Sequence, residues 1–166
     1  MNFDRSALAV LLALLFIAPC AWAERLYGRV TTIRNGGVLT VVDSQNQQHP
    51  IRLANIAAPD LTQHFGKEAQ SYLSAMIYGR SVQVVWNKMD RHGQKIAQVA
   101  LCEPTCIDIN LRQVKAGMAW YHAERDDPSA SKKEREDYSV AEFDAKIRRF
   151  GLWNDKNPQR PSVIKP

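Results

Sequence analysis

Two side chains of opposite charge, Arg52 and Asp60, lie at either end of the segment 51–60, Ile-Arg-Leu-Ala-Asn-Ile-Ala-Ala-Pro-Asp. The segment begins as a strand with Ile51 on one face and Arg52 on the other. Pro59 fixes a turn, so Asp60 follows that turn directly. If an arginine and a carboxylate face one site, the arginine can bind a phosphate and the carboxylate can bind a cation. The structural alternative is a surface arginine on a strand and an aspartate in a turn.

The first residues have the pattern of a secretory signal peptide. Arg5 precedes an apolar run at 7–18, and Ala-Trp-Ala at 21–23 offers a cleavage site before Glu24. The run is short for a membrane span, and a retained anchor is the alternative. We therefore expect residues 1–23 to be removed, together with Cys20. The mature protein is then exported to the periplasm or the exterior, without an integral membrane anchor.

The chain after the signal is predicted to form one domain, 24–156, with an extended tail at 157–166. The full sequence has 166 residues and a net charge of +5. That surplus is compatible with nucleic acid or another acidic ligand as a partner. Neither a repeat nor a second domain is present, and we expect a monomer.

The two remaining cysteines, Cys102 and Cys106, enclose the short sequence Glu-Pro-Thr. In an oxidising compartment an even pair at this spacing indicates a disulfide rather than a metal site. The four histidines show no metal-binding spacing that could complete a zinc tetrad. The pair is expected to staple a tight turn and to contribute about 2 kcal/mol in the chain-entropy account.

Hydrophobic periodicity predicts strands at 25–32, 38–42, 49–56, 81–86 and 96–101, with the turn Asn-Gly-Gly at 35–37 joining the first two. Helices are predicted at 66–78 and 109–116, and a third opens with a capping box formed by Ser131 and Glu134. The third helix carries one apolar stripe, which consists of Val140, Phe143, Ile147 and Phe150. This order predicts an α+β fold, mainly β: a five-stranded Greek-key barrel of the oligonucleotide-binding (OB) type with three helices.

Several motifs occur in a particular order along the chain. They are Asn-Gly-Gly-Val-Leu-Thr-Val (35–41), the segment 51–60, Phe-Gly-Lys-Glu-Ala (65–69), Ala-Gly-Met-Ala-Trp (116–120) and Gly-Leu-Trp-Asn-Asp-Lys-Asn-Pro (151–158). In this order they resemble the staphylococcal nuclease-like (thermonuclease) domains over residues 26–161. The resemblance implies the same barrel. It also implies a Ca²⁺-dependent phosphodiesterase ancestry, in which cation and arginines stabilise charge that grows on a phosphate.

The family's site residues transfer poorly to this chain. Its Asp-Gly-Asp-Thr turn places a metal-binding aspartate where this sequence has Gly37. Its Asp-Thr/Ala-Pro-Glu motif places a second aspartate at Ala57 and the glutamate at Asp60. The first phosphate-binding arginine is kept as Arg52, whereas the second falls on Gln94.

These substitutions predict a site without a bound calcium ion, or with a weak one held by Asp60 and Asn35. Calcium affinity depends on the number of charged ligands and spans roughly 10⁻⁹ to 10⁻³ M among natural sites. Arginines that clamp a phosphoryl transition state contribute about 10³–10⁵ in rate in well-studied transfer enzymes. Losing both kinds of group argues against useful turnover and leaves Arg52 and Asp60 as a vestigial catalytic pair.

The resemblance also implies ligand contacts outside the catalytic centre. Arg91 and His92 occupy the turn where family members contact phosphate and base, and an exposed polar turn is the alternative. Tyr121 and His122 fall where the family places aromatic residues along its nucleotide pocket, and stacking on a base is possible there. Trp120, their neighbour, is expected in the core.

The function expected from the sequence is that of an exported, non-catalytic binding or accessory module for nucleic acid or a polypeptide. Two alternatives differ in class. One is an endonuclease of DNA or RNA with a rearranged or weakened site at Arg52 and Asp60. The other is a structural envelope protein with no small ligand.

Overall fold

Alternating burial along the strands shows which faces form the core. In the computed structural model, which describes residues 23–122 and 131–161, Leu39 and Val41 are buried, as are Val82 and Val84. Their period of two places one face of each strand inside. The strands are β1 (Glu24–Asn35), β2 (Val38–Asp43), β3 (Gln48–Leu53), β4 (Ile56–Ala57), β5 (Ser81–Met89), β6 (Lys95–Cys102), β7 (Cys106–Asp108) and β8 (Trp120–Tyr121).

Five of these strands close into a barrel. The antiparallel order is β3-β2-β1-β5-β6, and a parallel pairing of β3 with β6 joins the two ends. In that pairing Ile51 lies opposite Lys95 and Leu53 opposite Ala97. This is the strand order of an OB-type barrel, so the predicted five-stranded α+β fold is confirmed. The short strands β4 and β8 pair with each other outside the barrel, and the sequence reasoning missed them.

Three helices accompany the barrel: α1 (Gly66–Ile77), α2 (Ile109–Lys115) and α3 (Lys132–Ile147), and a 3-10 turn follows at Gly151–Asn154. Helix α1 buries Ala69, Leu73 and Ile77, and Met76 is partly buried against the same core. The predicted cap of α3 is present, since the Ser131 hydroxyl accepts a hydrogen bond from the Glu134 backbone N–H at 3.1 Å. No described helix is long and apolar enough to cross a membrane. The predicted signal segment lies outside the described residues except for its last residue, as does the tail beyond Pro161.

The third strand is shorter than its pattern predicted. It ends at Leu53, and the next residues form a turn in which Asn55 has a left-handed φ of 60°. The Ala54 backbone N–H donates to the Ala97 carbonyl at 2.8 Å, so this last bond holds the chain against β6 before it turns away. The continuous strand expected through residue 56 is therefore wrong by three residues.

The apolar stripe expected for α3 lies on the opposite face from the core. Its four members are between 46% and 65% exposed: Val140, Phe143, Ile147 and Phe150. The helix instead buries Tyr138, Ala141 and Ala145. The physical reason is a close approach. Small alanines allow the helix to pack closely against α2 and β8, and the Tyr138 hydroxyl donates to an Asp108 carboxylate oxygen at 3.0 Å.

A disulfide joins Cys102 to Cys106, as the spacing predicted. The two cysteines are directly paired residues of β6 and β7. The bond therefore closes the hairpin that leads into α2, and Asp108 then caps that helix by accepting the Leu111 backbone N–H at 2.9 Å.

The two faces of α3 predict unequal effects of removing an aromatic ring. Tyr138→Ala is expected to lower the free energy of unfolding by about 3–5 kcal/mol, because Tyr138 is 1% exposed and its loss leaves a cavity. Phe143→Ala, on the exposed face, is expected to change it by no more than about 0.5 kcal/mol. Urea denaturation of the two variants measures both values. Similar losses would contradict the observed orientation of the helix.

Candidate functional site

The turn between β1 and β2 is held in place by close packing and by one buried amide. A Cβ added at Gly36 would lie 2.6 Å from the Ala69 Cβ, so only glycine lets the turn approach α1 this closely. The Gln113 side chain of α2 is fully buried, and its Nε2 donates to the Gly36 carbonyl at 2.6 Å and to the Ala69 carbonyl at 3.3 Å. The position of this turn is thus fixed by its packing on Ala69 and by the hydrogen bond from Gln113.

Arg52 stands on the strand next to this turn. It is half-buried and is paired in register with Val38, the first residue of β2. The Leu53 backbone N–H donates to the Gly37 carbonyl at 2.8 Å. The predicted phosphate-binding arginine on β3 and the predicted lost ligand position, Gly37 in the β1–β2 turn, therefore lie close to each other.

Asp60 lies on a tight, exposed loop that leads into α1. Its backbone N–H donates to the Gln63 side chain at 2.8 Å, and its carbonyl accepts the Gln63 N–H at 2.9 Å. A Cβ at Gly66 would stand 2.0 Å from the Asp60 carbonyl oxygen, so the loop packs directly on the first residue of α1. The carboxylate is thereby held beside the β1–β2 turn.

Asn35 links this carboxylate to the turn. Its Oδ1 accepts the Gly37 backbone N–H at 2.9 Å, which fixes the orientation of the amide group. Its Nδ2 then points to an Asp60 carboxylate oxygen at 3.5 Å, the outer limit of a hydrogen bond. The structure thus brings Asn35 and Asp60 together, and Asn35 presents a donor to the carboxylate.

The second lost ligand position is close to the first. Ala57 pairs with Trp120 in the small β4–β8 sheet. Its neighbour Ala58 places its Cβ 3.4 Å from where a Cβ on Gly37 would stand. Gly37 and Ala58 therefore adjoin each other, and neither Gly37 nor Ala57 carries a polar side chain.

The β5–β6 turn carries Gln94, Arg91 and His92. Asp90 organises it, since one of its carboxylate oxygens accepts the backbone N–H of His92 at 2.8 Å and that of Gln94 at 2.9 Å. Arg91 Nε lies 3.2 Å from His92 Nε2, and both side chains are exposed. Because Lys95 pairs with Ile51, the end of this turn lies alongside β3, the strand of Arg52.

The two residues predicted to line a nucleotide pocket, Tyr121 and His122, are both half-buried. The Tyr121 ring lies 5.4 Å from the Tyr138 ring, and burial raises the pKa of the Tyr121 phenol. His122 is half-buried, its backbone N–H donates to the Asn55 carbonyl at 2.9 Å, and its Nδ1 has no hydrogen-bond partner among the described residues. Trp120 is 4% exposed and packs edge-on against Trp153, as expected of a core residue.

Comparison with known proteins decides the family. Residues 50–155 match the family described as "Staphylococcal nuclease homologue". The chain belongs to the staphylococcal nuclease family. The resemblance predicted from the ordered motifs is therefore confirmed.

Staphylococcal nuclease relatives of this chain include three bacterial proteins that align over most of its length. A Haemophilus influenzae protein named "Uncharacterized endonuclease" is 34% identical over 161 residues, which cover 96% of this chain and 84% of that protein. "Protein ParB" of Escherichia coli is 34% identical over 163 residues, or 92% and 86% of the two chains. "Micrococcal nuclease" of Shigella flexneri is 32% identical over 171 residues, or 95% and 92%.

The side chains present do not fit the calcium ion of the staphylococcal nuclease family. Calcium takes six to eight oxygen ligands, several of them carboxylates. Here Gly37 and Ala57 have no ligand atoms in their side chains, and Asn35 directs its amide nitrogen, a donor, at Asp60. Within residues 23–122 and 131–161, no group of three or more His, Cys, Asp and Glu side chains could hold a metal ion.

Sequence reasoning missed the two residues that position this site, Asn110 and Gln113. Both are buried in α2. Asn110 accepts the Val99 backbone N–H at 3.1 Å and donates to the Ala54 and Ala97 carbonyls at 3.0 Å each. The available signal was their spacing, because residues three apart share a helix face. Here that face also carries the apolar Ile109 and Val114.

The two adjacent glycines of the β1–β2 turn are expected to respond differently to a methyl group. Gly36→Ala should destabilise the protein by about 1–3 kcal/mol, since its Cβ would overpack against Ala69. Gly37→Ala is the matched control: its Cβ makes an ordinary contact, and the change is expected to stay within about 1 kcal/mol. Thermal unfolding of both variants tests this, and equal losses would show that the turn is not packed as described.

Proposed function

We propose that this chain is a nucleic-acid-binding member of the staphylococcal nuclease family that does not carry out Ca²⁺-dependent cleavage. The observation that carries the proposal is the arrangement of Asn35. Its oxygen is bound to Gly37 N–H, and its amide nitrogen faces Asp60. A hydrogen-bond donor thus occupies the direction in which a cation would need an acceptor.

The site bounded by Arg52, Gly37, Ala57 and Asp60 is called the cleft from here on. The charges around it support a polyanionic ligand. Arg52 is retained on β3, Arg91 is exposed on the neighbouring turn, and Asp60 is the carboxylate kept from the family motifs. With the carboxylate positions taken by Gly37 and Ala57, the cleft has lost negative charge that would repel phosphate. OB-type barrels also offer a face on which oligonucleotides bind.

An endonuclease with a weakened site is the second candidate. The names of the relatives from Haemophilus influenzae and Shigella flexneri favour it, because both align over more than nine-tenths of this chain. Arg52 would then remain on the phosphate, and Asp60 would stand in the place of the family's glutamate. This candidate requires cleavage without the two family carboxylates.

We also propose that the protein is exported. The disulfide between Cys102 and Cys106 supports an oxidising compartment. The first strand begins at Glu24, directly after the predicted cleavage site. N-terminal sequencing of the protein recovered from a periplasmic fraction tests this, and a mature chain that still starts at Met1 in the cytosol would contradict it.

Cleavage and binding assays on the same mature protein separate the two candidates. We expect no degradation of single-stranded DNA or RNA in either Ca²⁺ or chelator, together with binding that weakens as salt rises. Arg52→Ala should weaken binding about tenfold, as loss of a charged hydrogen bond does. Arg25→Ala, an exposed arginine on β1, is the matched control and should bind normally.

Cleavage that requires Ca²⁺ and is lost with Arg52→Ala would overturn the proposal in favour of the endonuclease. The absence of any retardation at low ionic strength would reject nucleic acid as the ligand.

A further inference from the structure

A groove outside the candidate cleft runs between β1 and α1. It is open to solvent and has a volume of about 530 Å³. Its walls are formed by Ile33 of β1 and by side chains of α1 and the residue after it: Gln70, Ser71, Ser74, Ala75 and Tyr78. Of the residues that the structure describes, those lining the groove include no acidic side chain.

The strand edge along this groove is already closed. Gln70 Nε2 donates to the Ile33 carbonyl at 3.0 Å and to the Arg34 carbonyl at 3.2 Å. A peptide that adds as a strand depends on free backbone groups of this kind. Because Gln70 occupies both carbonyls, the groove offers side chains rather than main chain. This favours a ligand recognised through stacking and charge.

Three of the groove-lining side chains, Ser71, Ser74 and Tyr78, follow one stripe of α1, and Lys67 extends that stripe beyond the groove. Lys67, Ser71, Ser74 and Tyr78 are spaced at i, i+4, i+7 and i+11, so they share a face about 16 Å long. Tyr78 ends the stripe with 61% of its surface exposed. A large ring this exposed, next to two hydroxyl groups, can stack on a base while the hydroxyls donate to phosphate or sugar.

Positive charge is present at both ends of the stripe. At one end, Lys67 follows Gly66, which packs directly on the Asp60 backbone, so this end adjoins the candidate cleft. At the other end, Arg80 lies against the C-terminus of α1, with its Nη1 3.4 Å from the Met76 carbonyl. The groove therefore lies beside an exposed tyrosine, and a lysine and an arginine lie near the two ends of the helix that forms one of its walls.

We propose that this groove binds single-stranded nucleic acid that extends out of the cleft. One base stacks on Tyr78, and Lys67 and Arg80 neutralise phosphates on either side. The inference rests on the proposed function, because the strand enters the groove from the cleft of Arg52. It adds a second site, in which Tyr78 is the stacking residue. Substitution of Tyr78 and substitution of Arg52 therefore affect different sites.

Oligonucleotide length separates the two sites. Fluorescence anisotropy with labelled oligothymidylates of about 4 and about 16 nucleotides spans the site sizes seen for OB folds. We expect Tyr78→Ala to weaken the longer ligand about tenfold and to leave the shorter one unchanged, because the shorter one fills only the cleft. Tyr27→Ala is the matched control, since Tyr27 is 62% exposed but lies on β1 against Gln83, and it should change neither affinity.

The salt dependence of the binding constant measures the number of phosphate contacts independently. Lys67→Gln and Arg80→Gln should each reduce the slope of log K against log salt by about 0.7 for the longer oligonucleotide, the value for one phosphate on a single strand. Circular dichroism and thermal unfolding of each variant show whether the fold is kept. Exposed positions of this kind are expected to leave it unchanged.

The outcomes are distinguishable. If Arg52→Ala weakens both ligands while Tyr78→Ala and Tyr27→Ala behave alike, the groove proposal is wrong and the cleft proposal survives. If neither oligonucleotide binds at low salt, both proposals fail together. If an acidic polypeptide such as polyglutamate binds in a Tyr78-dependent manner and the longer oligonucleotide does not, the groove is a polypeptide site and the proposal is overturned.

Discussion

Two buried amides of one short helix hold the backbone of the cleft together. Gln113 ties the β1–β2 turn to α1 through the Gly36 and Ala69 carbonyls, and Asn110 ties the end of β3 to β6. Each amide satisfies buried backbone groups that would otherwise cost about 1–3 kcal/mol apiece. The geometry of the cleft is therefore set by buried hydrogen bonds from α2, and these bonds do not require a ligand.

This independence explains how a nuclease scaffold can persist without its metal-binding side chains. Gly37 and Ala57 are placed by strand pairing and by the close packing around Gly36, neither of which uses a carboxylate. The Asn35 amide links the turn to the loop of Asp60, although the contact is long. The cleft now contains Arg52 and one carboxylate, Asp60. The two positions where the family has aspartates are occupied by Gly37 and Ala57, so the cleft carries little negative charge.

Much of the fold could be predicted from the sequence because its signals are local. Period-two apolar residues marked the barrel strands, and Ser131 with Glu134 marked the start of α3. The buried face of α3 was predicted wrongly, since periodicity weights large residues such as Phe143. Packing against α2 and β8 instead required small alanines and a tyrosine whose hydroxyl reaches Asp108, a partner distant in sequence.

The candidate site was predictable only in its residue types. Ordered motifs indicated Arg52, Gly37 and Asp60 as members of one site, and the structure places Gly37 beside β3 and Asp60 beside Asn35. The orientation of Asn35 could not be predicted, because it depends on one backbone N–H two residues away in a turn of specific geometry. The α2 amides were missed because polar residues in a short helix are usually exposed.

The central claim is that this cleft does not bind a divalent cation. Calorimetric titration with Ca²⁺ tests this claim most directly. We predict no binding heat for the wild-type protein up to roughly 10⁻³ M, the weak limit of natural calcium sites. The double variant Gly37→Asp with Ala57→Asp, in which the scaffold is unchanged and the carboxylates return, should bind. A wild-type site tighter than roughly 10⁻³ M that is lost in Asp60→Asn would contradict the account.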